Sequence, residues 1–240
     1  MASIRSLLQD TLGQLIFREF AVESVQDISA HFRRFRVRGE SVRDNDCAPG
    51  DKLQILISGA GTRTFTPFSP NANAGTLEFL AYVHGDAPAA KWARDAGQGL
   101  RFRAFGPRGS LPLGTLSGPV ILLGDETSVG AAKSLLDTRG TSEGLAFVFE
   151  ATDRDETERA LAELGLTARA IVRRQLGRAH LAELETQLRA AASQQPGAHL
   201  VLTGHAQTIQ AMRAALRARP APVNGQKVKA YWADGKRGLD

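Results

Sequence analysis

Apolar positions along this chain of 240 residues follow two different periods. From about Arg18 to Leu113 the repeat is every second residue, over short spans. Phe35 and Val37 alternate with Arg34, Arg36 and Arg38, the pattern of a strand with one wet face. Pro49-Gly50-Asp51 makes a turn, after which Leu53, Ile55 and Ile57 alternate with polar neighbours. Pro70 to Gly75 is a second turn, and Leu77, Phe79 and Ala81 follow it. Leu100, Phe102 and Ala104 form a further strand that Gly106-Pro107 is expected to stop. Short strands at this spacing predict an antiparallel barrel or sandwich.

From Pro119 onward, strand-length apolar runs alternate with helical periods. Strands are predicted at Val120–Leu123, Leu145–Phe149, Ala168–Val172, Leu200–Thr203 and Val228–Trp232. Helices are predicted at Thr127–Thr138, Glu156–Leu164, Ala179–Ala192 and Gln207–Ala218. Such alternation means βαβ units on a five-stranded parallel sheet, which binds ligands at the carboxyl ends of its strands. The expected domains are 1–115 and 116–240, with the linker near Gly114 to Gly118. At the N-terminus, Ile4, Leu7, Leu8, Leu12 and Leu15 share one face of an amphipathic helix over Met1 to Ile16.

Composition narrows the chemistry. The lone cysteine, Cys47, rules out an internal disulfide, a Cys-rich zinc site and a Cys-ligated iron–sulfur cluster, so redox work here needs another cofactor. The histidines at 31, 84, 180, 199 and 205 lack metal-ligand spacing, and no metal is expected. His180 reads as a solvated helix residue and His199 as a strand edge. No apolar run is long enough to cross a membrane, and the first residues lack the order of a signal peptide, so the cytoplasm is the expected location. Lys plus Arg exceed Asp plus Glu by 30 to 25, a bias suited to an anionic ligand. No dense basic block with interleaved aromatics points to nucleic acid. Nucleophile-elbow and reactive-cysteine contexts are missing, which argues against hydrolysis and acyl transfer.

Five short motifs then stand in fixed order: Arg63-Thr64-Phe65-Thr66, Tyr82-Val83-His84-Gly85, Ala89-Ala90-Lys91-Trp92, Gly106-Pro107-Arg108-Gly109 and Gly124-Asp125-Glu126-Thr127. A guanidinium can grip a pyrophosphate, an aromatic two residues later can pack on a flat ring, and a neighbouring hydroxyl can bond the ring edge. On these four residues alone, an ordinary barrel strand with a surface arginine is the better account of the first motif. The fifth motif is not a Gly-x-Gly-x-x-Gly fingerprint, and Asp125 or Thr127 there could serve as a helix N-cap.

In this order the motifs resemble the siderophore-interacting proteins, flavin-dependent ferric-siderophore reductases of the ferredoxin-reductase-like superfamily. Tyr231-Trp232 with Gly235 resembles that family's terminal aromatic motif, so the resemblance spans roughly Phe17 to Gly238. It implies an FAD-binding antiparallel β-barrel at residues 1–115 and an NAD(P)H-binding parallel α/β domain at 116–240. Carried over, Arg63 and Thr64 belong to the FAD site, with Arg63 on the phosphate and Phe65 on the isoalloxazine. Thr66 bonds near the flavin N5 and is the candidate catalytic residue. Val83, His84 and Gly85 line the adenine or ribityl side. Ala89, Ala90 and Trp92 meet the pyrophosphate at a helix start, whose first N–H groups are free. Gly124, Asp125, Glu126, Thr127, Gly204, His205 and Trp232 complete the nucleotide side. The implied substrate is a ferric siderophore and the implied donor NADH or NADPH.

Three positions depart from the family's pattern. Phe65 stands where Tyr is usual, Ala87 where Gly is frequent, and Gly204-His205 where Gly-Glu is usual. The last makes nicotinamide-nucleotide preference the open point. A general flavin or ferredoxin-type reductase module, and a flavin- or siderophore-binding protein without turnover, are the alternative readings. Arg154, Arg173 and Arg174 follow predicted strands, where one could grip a 2′-phosphate, although solvated charges are the simpler reading. Lys227, Lys229, Lys236 and Arg237 could attract an anionic ligand or merely solvate a chain end. Trp92 and Trp232 also fit as core residues.

Overall fold

The computed structural model describes residues 16–236, so the expected N-terminal helix lies outside the described residues apart from Ile16. The first half holds β1 (Arg18–Asp27), β2 (Phe32–Arg38), a single helical turn α1 (Ser41–Asp44), β3 (Lys52–Ile57), β4 (Gly61–Phe65), β5 (Pro67–Asn71), β6 (Thr76–Tyr82), α2 (Pro88–Asp95) and β7 (Arg101–Arg108). The strands form one antiparallel sheet of seven in the order β4-β3-β7-β1-β2-β6-β5. Its two edges, β4 and β5, are separated along the chain by Thr66 alone. A sheet whose edges are joined by one residue has to roll up. Strand twist and register shifts at Val22/Ser24, Lys52/Gln54 and Phe68/Asn71 supply the curvature. The result is barrel-like but not closed, because no ladder joins β4 to β5.

The alternating apolar residues fill this barrel. Phe20, Phe35, Leu53, Ile55, Leu77, Phe79 and Phe102 are buried together. Trp92 of α2 lies against them, with Phe35 at 5.7 Å and Phe102 at 5.5 Å between ring centroids. The expected stop at Gly106-Pro107 does not occur. β7 continues to Arg108 by slipping its register against β3, so the turn residues mark a bulge and not a strand end.

The second half holds β8 (Val120–Gly124), α3 (Val129–Arg139), β9 (Leu145–Ala151), α4 (Arg154–Glu163), β10 (Ala170–Arg173), α5 (Leu181–Gln194), β11 (Ala198–His205), α6 (Ala206–Ala218) and β12 (Val223–Trp232). These strands make a parallel sheet in the order β10-β9-β8-β11-β12. Both faces of β8 are covered, which is why it reads as an unbroken apolar run. Val120 and Leu122 join one core, Ile121 and Leu123 the other. His199, expected at an edge, sits in β11, an inner strand. The strand order reverses between β8 and β11, so the loops leaving these two strands diverge and open a crevice there.

The halves share a core. Phe32 and Phe68 of the antiparallel sheet are buried with Val129, Ala132 and Phe149. Gly130 lets α3 approach the β4–β5 link, since a Cβ there would stand 2.9 Å from the Thr66 carbonyl oxygen. Ser69 donates to Asp137 of α3 at 2.7 Å.

Candidate functional site

Side chains from both halves converge at the carboxyl ends of the parallel strands. A crevice of about 140 Å³ is walled by Thr64, Phe65, Thr66, Leu80 and Tyr82 on one side, and by Thr127, Tyr231 and Trp232 on the other, with His84 beside them. It runs into a wider cleft of about 430 Å³ that also has Tyr82, His84, Thr127 and Trp232 on its walls, and is extended by His31, Glu126, Thr152, Arg173 and Arg174. Flat rings and hydroxyls thus face one another across the junction. The Tyr82 ring stacks on His84 with centroids 5.0 Å apart. Phe65 rests on the barrel core through Phe79 at 4.8 Å, and also lines the crevice. Tyr231 is hydrogen-bonded to Thr66, and burial, set against that bond, pushes its phenol up to about 12. Burial and the Glu126 charge push Tyr82 up to about 12 as well, so both phenols are neutral donors at ordinary pH.

Beneath this lining lies a cluster of buried charges. Asp125, at the end of β8, is fully buried. Its carboxylate accepts the indole N–H of Trp232 at 2.6 Å and the backbone N–H of Thr127 at 2.9 Å, so it is also the N-cap of the following turn. Desolvation, then the neighbouring Glu126 charge, push its carboxyl up to about 6, against the pull of the Thr127 and Trp232 hydrogen bonds. Arg174 bridges two buried carboxylates, with Nη2 at 3.2 Å from Glu126 and 3.4 Å from Glu150. Burial alone would lower the Arg174 pKa, but the charges of Glu126 and Glu150 outweigh it and the net shift is upward. Glu150 also accepts from Thr208 at 2.8 Å and pairs with His180 at 2.9 Å. The His180 Nδ1 accepts the Gln175 backbone N–H, so its proton sits on Nε2 and is donated to Glu150.

The structure sorts the residues proposed from sequence. Thr64, Phe65, Thr66, His84, Glu126, Thr127 and Trp232 meet at the crevice and its cleft. Asp125 and His205 lie under Trp232, with Gly124 and Gly204 beside them. Val83 and Ala90 are buried in the barrel core, and Trp92 seals that core. Ala89 is the second residue of α2, whose start carries no side-chain cap. Gly85 is turned outward with its carbonyl on Arg94. The Arg63 guanidinium donates to the carbonyls of Ala60 and Thr62, at 2.8 and 2.7 Å, folding back on its own hairpin.

Two readings are corrected. His180 is not a solvated helix residue but 3% exposed, because it carries the proton for Glu150. Arg174 is not a solvated charge, because two carboxylates hold it. Arg173 lines the cleft and Arg154 lies elsewhere, near Leu166. Sequence reasoning passed over Glu150, Thr152 and Thr208, and named Tyr82 and Tyr231 as motif members without giving them a role in the site. Glu150 and Thr152 could have been found as polar residues ending or following an apolar strand. Thr208, on a helix, carries no such mark. Cys47 lies outside the crevice, and burial followed by the Asp51 charge pushes its thiol up to about 12. Among the described residues no three His, Cys, Asp or Glu gather as metal ligands, and no helix is long and apolar enough to cross a membrane.

An antiparallel barrel-like sheet feeding a five-stranded parallel one, with a crevice between them, is the ferredoxin-reductase-like architecture. The chain matches a ferredoxin NADP+ reductase from Neisseria gonorrhoeae, solved with bound FAD and NADP, at 15% identity and a TM-score of 0.68, over 90% of this chain and 99% of that one. Within this class, the chain resembles the siderophore-interacting proteins: the family model of that description matches residues 118–235. Two solved structures extend the likeness to both halves. A siderophore utilization protein from T. fusca aligns at 22% identity and TM-score 0.67, over 93% of this chain and 95% of that one. The siderophore-interacting protein SipS from Aeromonas hydrophila aligns at 21% and 0.68, over 92% and 94%. No curated protein matches.

Proposed function

We propose that this chain is a cytoplasmic flavin-dependent NAD(P)H oxidoreductase acting on ferric siderophores, with residues 1–115 holding FAD and 116–240 the nicotinamide nucleotide. The observation that carries the reading is the crevice at the strand-order reversal, where Phe65, Thr66 and Tyr82 of one half face Thr127, Tyr231 and Trp232 of the other. This donor set suits a flat, heteroatom-edged ring: aromatic faces for stacking, hydroxyls for the edge, and little charge on the walls. The uncapped start of α2 offers free N–H groups to a phosphate. Bound in the crevice, FAD would supply the step from a two-electron donor to a one-electron acceptor such as ferric iron.

The residues around it position and tune. Phe65, braced on the barrel core, packs on the ring. Thr66 holds the ring edge from one side while its bond to Tyr231 fixes the hydroxyl. Thr127 and Trp232 close the opposite wall and leave the wider cleft for the partner that gives or takes electrons. Lowering the charge on iron weakens its hold on hard oxygen ligands, so reduction releases it from the siderophore. No side-chain acid or base is needed for electron transfer, which agrees with a lining of neutral hydroxyls.

The folded-back Arg63 counts against its phosphate grip in either case, since reaching a phosphate would cost it two carbonyl bonds. The second reading is a flavin-binding protein without turnover, kept by the Gly204-His205 departure at the nucleotide side. The visible spectrum of the purified protein, with NADH and then NADPH added without oxygen, separates the two. Flavin bands that fade identify a reductase. Bands that persist favour the binding protein. A colourless chain that cannot be reconstituted with FAD refutes the flavin site.

A further inference from the structure

Trp232 ends β12, the outermost strand of the parallel sheet, where a side chain has support from one neighbouring strand only. It is nevertheless held on three sides. Its indole N–H is bonded to Asp125 from the β8 loop. Its face stacks on His205, its register partner on β11, with centroids 4.1 Å apart and planes 20° from parallel. The Arg174 guanidinium sits 5.7 Å from the ring centroid.

Asp125 is the unusual member. It is fully buried, and its direct bonds are to neutral donors only, the costliest way to keep a carboxylate. The space it occupies is made by Gly204, which has φ +92° and whose Cβ would stand 2.5 Å from the carboxylate. His205 is equally constrained. Thr208 spends its one proton on Glu150, so it can only accept from His205 Nδ1. The other ring nitrogen lies 3.2 Å from Asp234 Oδ1 without a hydrogen bond to it, so the bond to Thr208 and the stack on Trp232 fix the ring.

We infer that Asp125 and His205 are positioning residues whose joint task is to hold the Trp232 indole as the wall of the crevice. The inference rests on the reductase reading for what that wall encloses, but the holding of Trp232 is open to test without any flavin. The groups facing the pair are Glu126 and Thr127 from the β8 loop, Glu150 from β9, Arg174 after β10, Thr208 from α6 and Asp234 after β12.

The test uses the full chain labelled with 5-fluorotryptophan, whose fluorine spectrum has two lines, for Trp92 and Trp232, assigned with Trp232→Phe. In Asp125→Ala and in His205→Ala the Trp232 line is expected to move or split while the Trp92 line stays. Asp125→Asn, which keeps an acceptor for the indole N–H, is expected to return the line toward its wild-type position. A Trp232 line unchanged in both alanine variants overturns the proposal. Should an alanine variant unfold and move both lines, Asp125→Leu and His205→Leu, which fill the same space without the hydrogen bonds, are read instead. Movement of the Trp232 line alone supports the proposal, and an unchanged line overturns it. Loss of FAD binding with these fluorine results intact would refute the flavin reading and leave the positioning roles standing.

Discussion

Replacing Arg174 by Met removes the cation that bridges Glu126 and Glu150 and keeps most of its apolar stem. Those carboxylates are 2% and 1% exposed, at 3.2 and 3.4 Å from the guanidinium. Taking away one partner of a buried ion pair costs about 3–5 kcal/mol, because a desolvated charge stays behind. The lower end applies here. The Arg174 side chain is 23% exposed, and each carboxylate keeps a neutral donor, Thr152 N–H for Glu126 and Thr208 for Glu150. The expected loss is therefore about 3 kcal/mol, or roughly 6–12 °C in Tm for a chain of this size. Urea unfolding followed by circular dichroism would measure it as a shift in midpoint at constant slope. Adding Glu126→Gln to Arg174→Met should recover part of the loss, a coupling of about 0.5–3 kcal/mol. A single variant within about 0.5 kcal/mol of wild type, with no recovery in the double, would refute the picture of a buried cluster balanced by one guanidinium.

The Asp125 carboxyl, held near pH 6 against 3.8 in the unfolded chain, gives a pH signature. A raised pKa means the native state binds the extra proton, so this group's contribution to stability is greatest below about pH 4 and is lost as pH rises through 6. The span is on the order of 3 kcal/mol. Asp125→Asn should flatten that part of the stability curve relative to wild type, and parallel curves would refute it. Gly204→Ala should destabilise by about 1–3 kcal/mol or more through strain and collision with Asp125, whereas Gly225→Ala has the strain without the collision and should cost less. Calorimetry of both would check this. Arg63→Ala should weaken FAD retention if the guanidinium swings onto phosphate, and Phe65→Ala should shift the flavin spectrum. Unchanged affinity and spectrum in both would remove these residues from the site.

Much of the architecture is legible from local pattern. Two-residue alternation located the barrel strands, and the change of period near Pro119 located the α/β half. Errors came where tertiary pairing overrode a local signal. Gly106-Pro107 reads as a stop, yet β3 goes on pairing with β7 past it through a shift of register. The last strand reads as Val228–Trp232, but pairing with β11 extends it back to Val223. At the site, Phe65, Thr66, Thr127 and Trp232 were visible through motif order. The roles of Glu150, Arg174 and His180 were not, since a carboxylate, a guanidinium and an imidazole from separate elements look like ordinary surface charges one by one.

The division has a simple cause. Periodicity, turn residues and motif order depend on neighbours along the chain, so the sequence by itself determines a barrel-like sheet, a parallel α/β sheet and the strand ends where a ligand belongs. Which charges are buried depends on neighbours in space. Only when the ends of β8, β9, β10 and β11 converge does water leave Asp125, Glu126 and Glu150. Tertiary structure thus decides that Arg174 and His180 face inward and that Trp232 is fastened across the crevice.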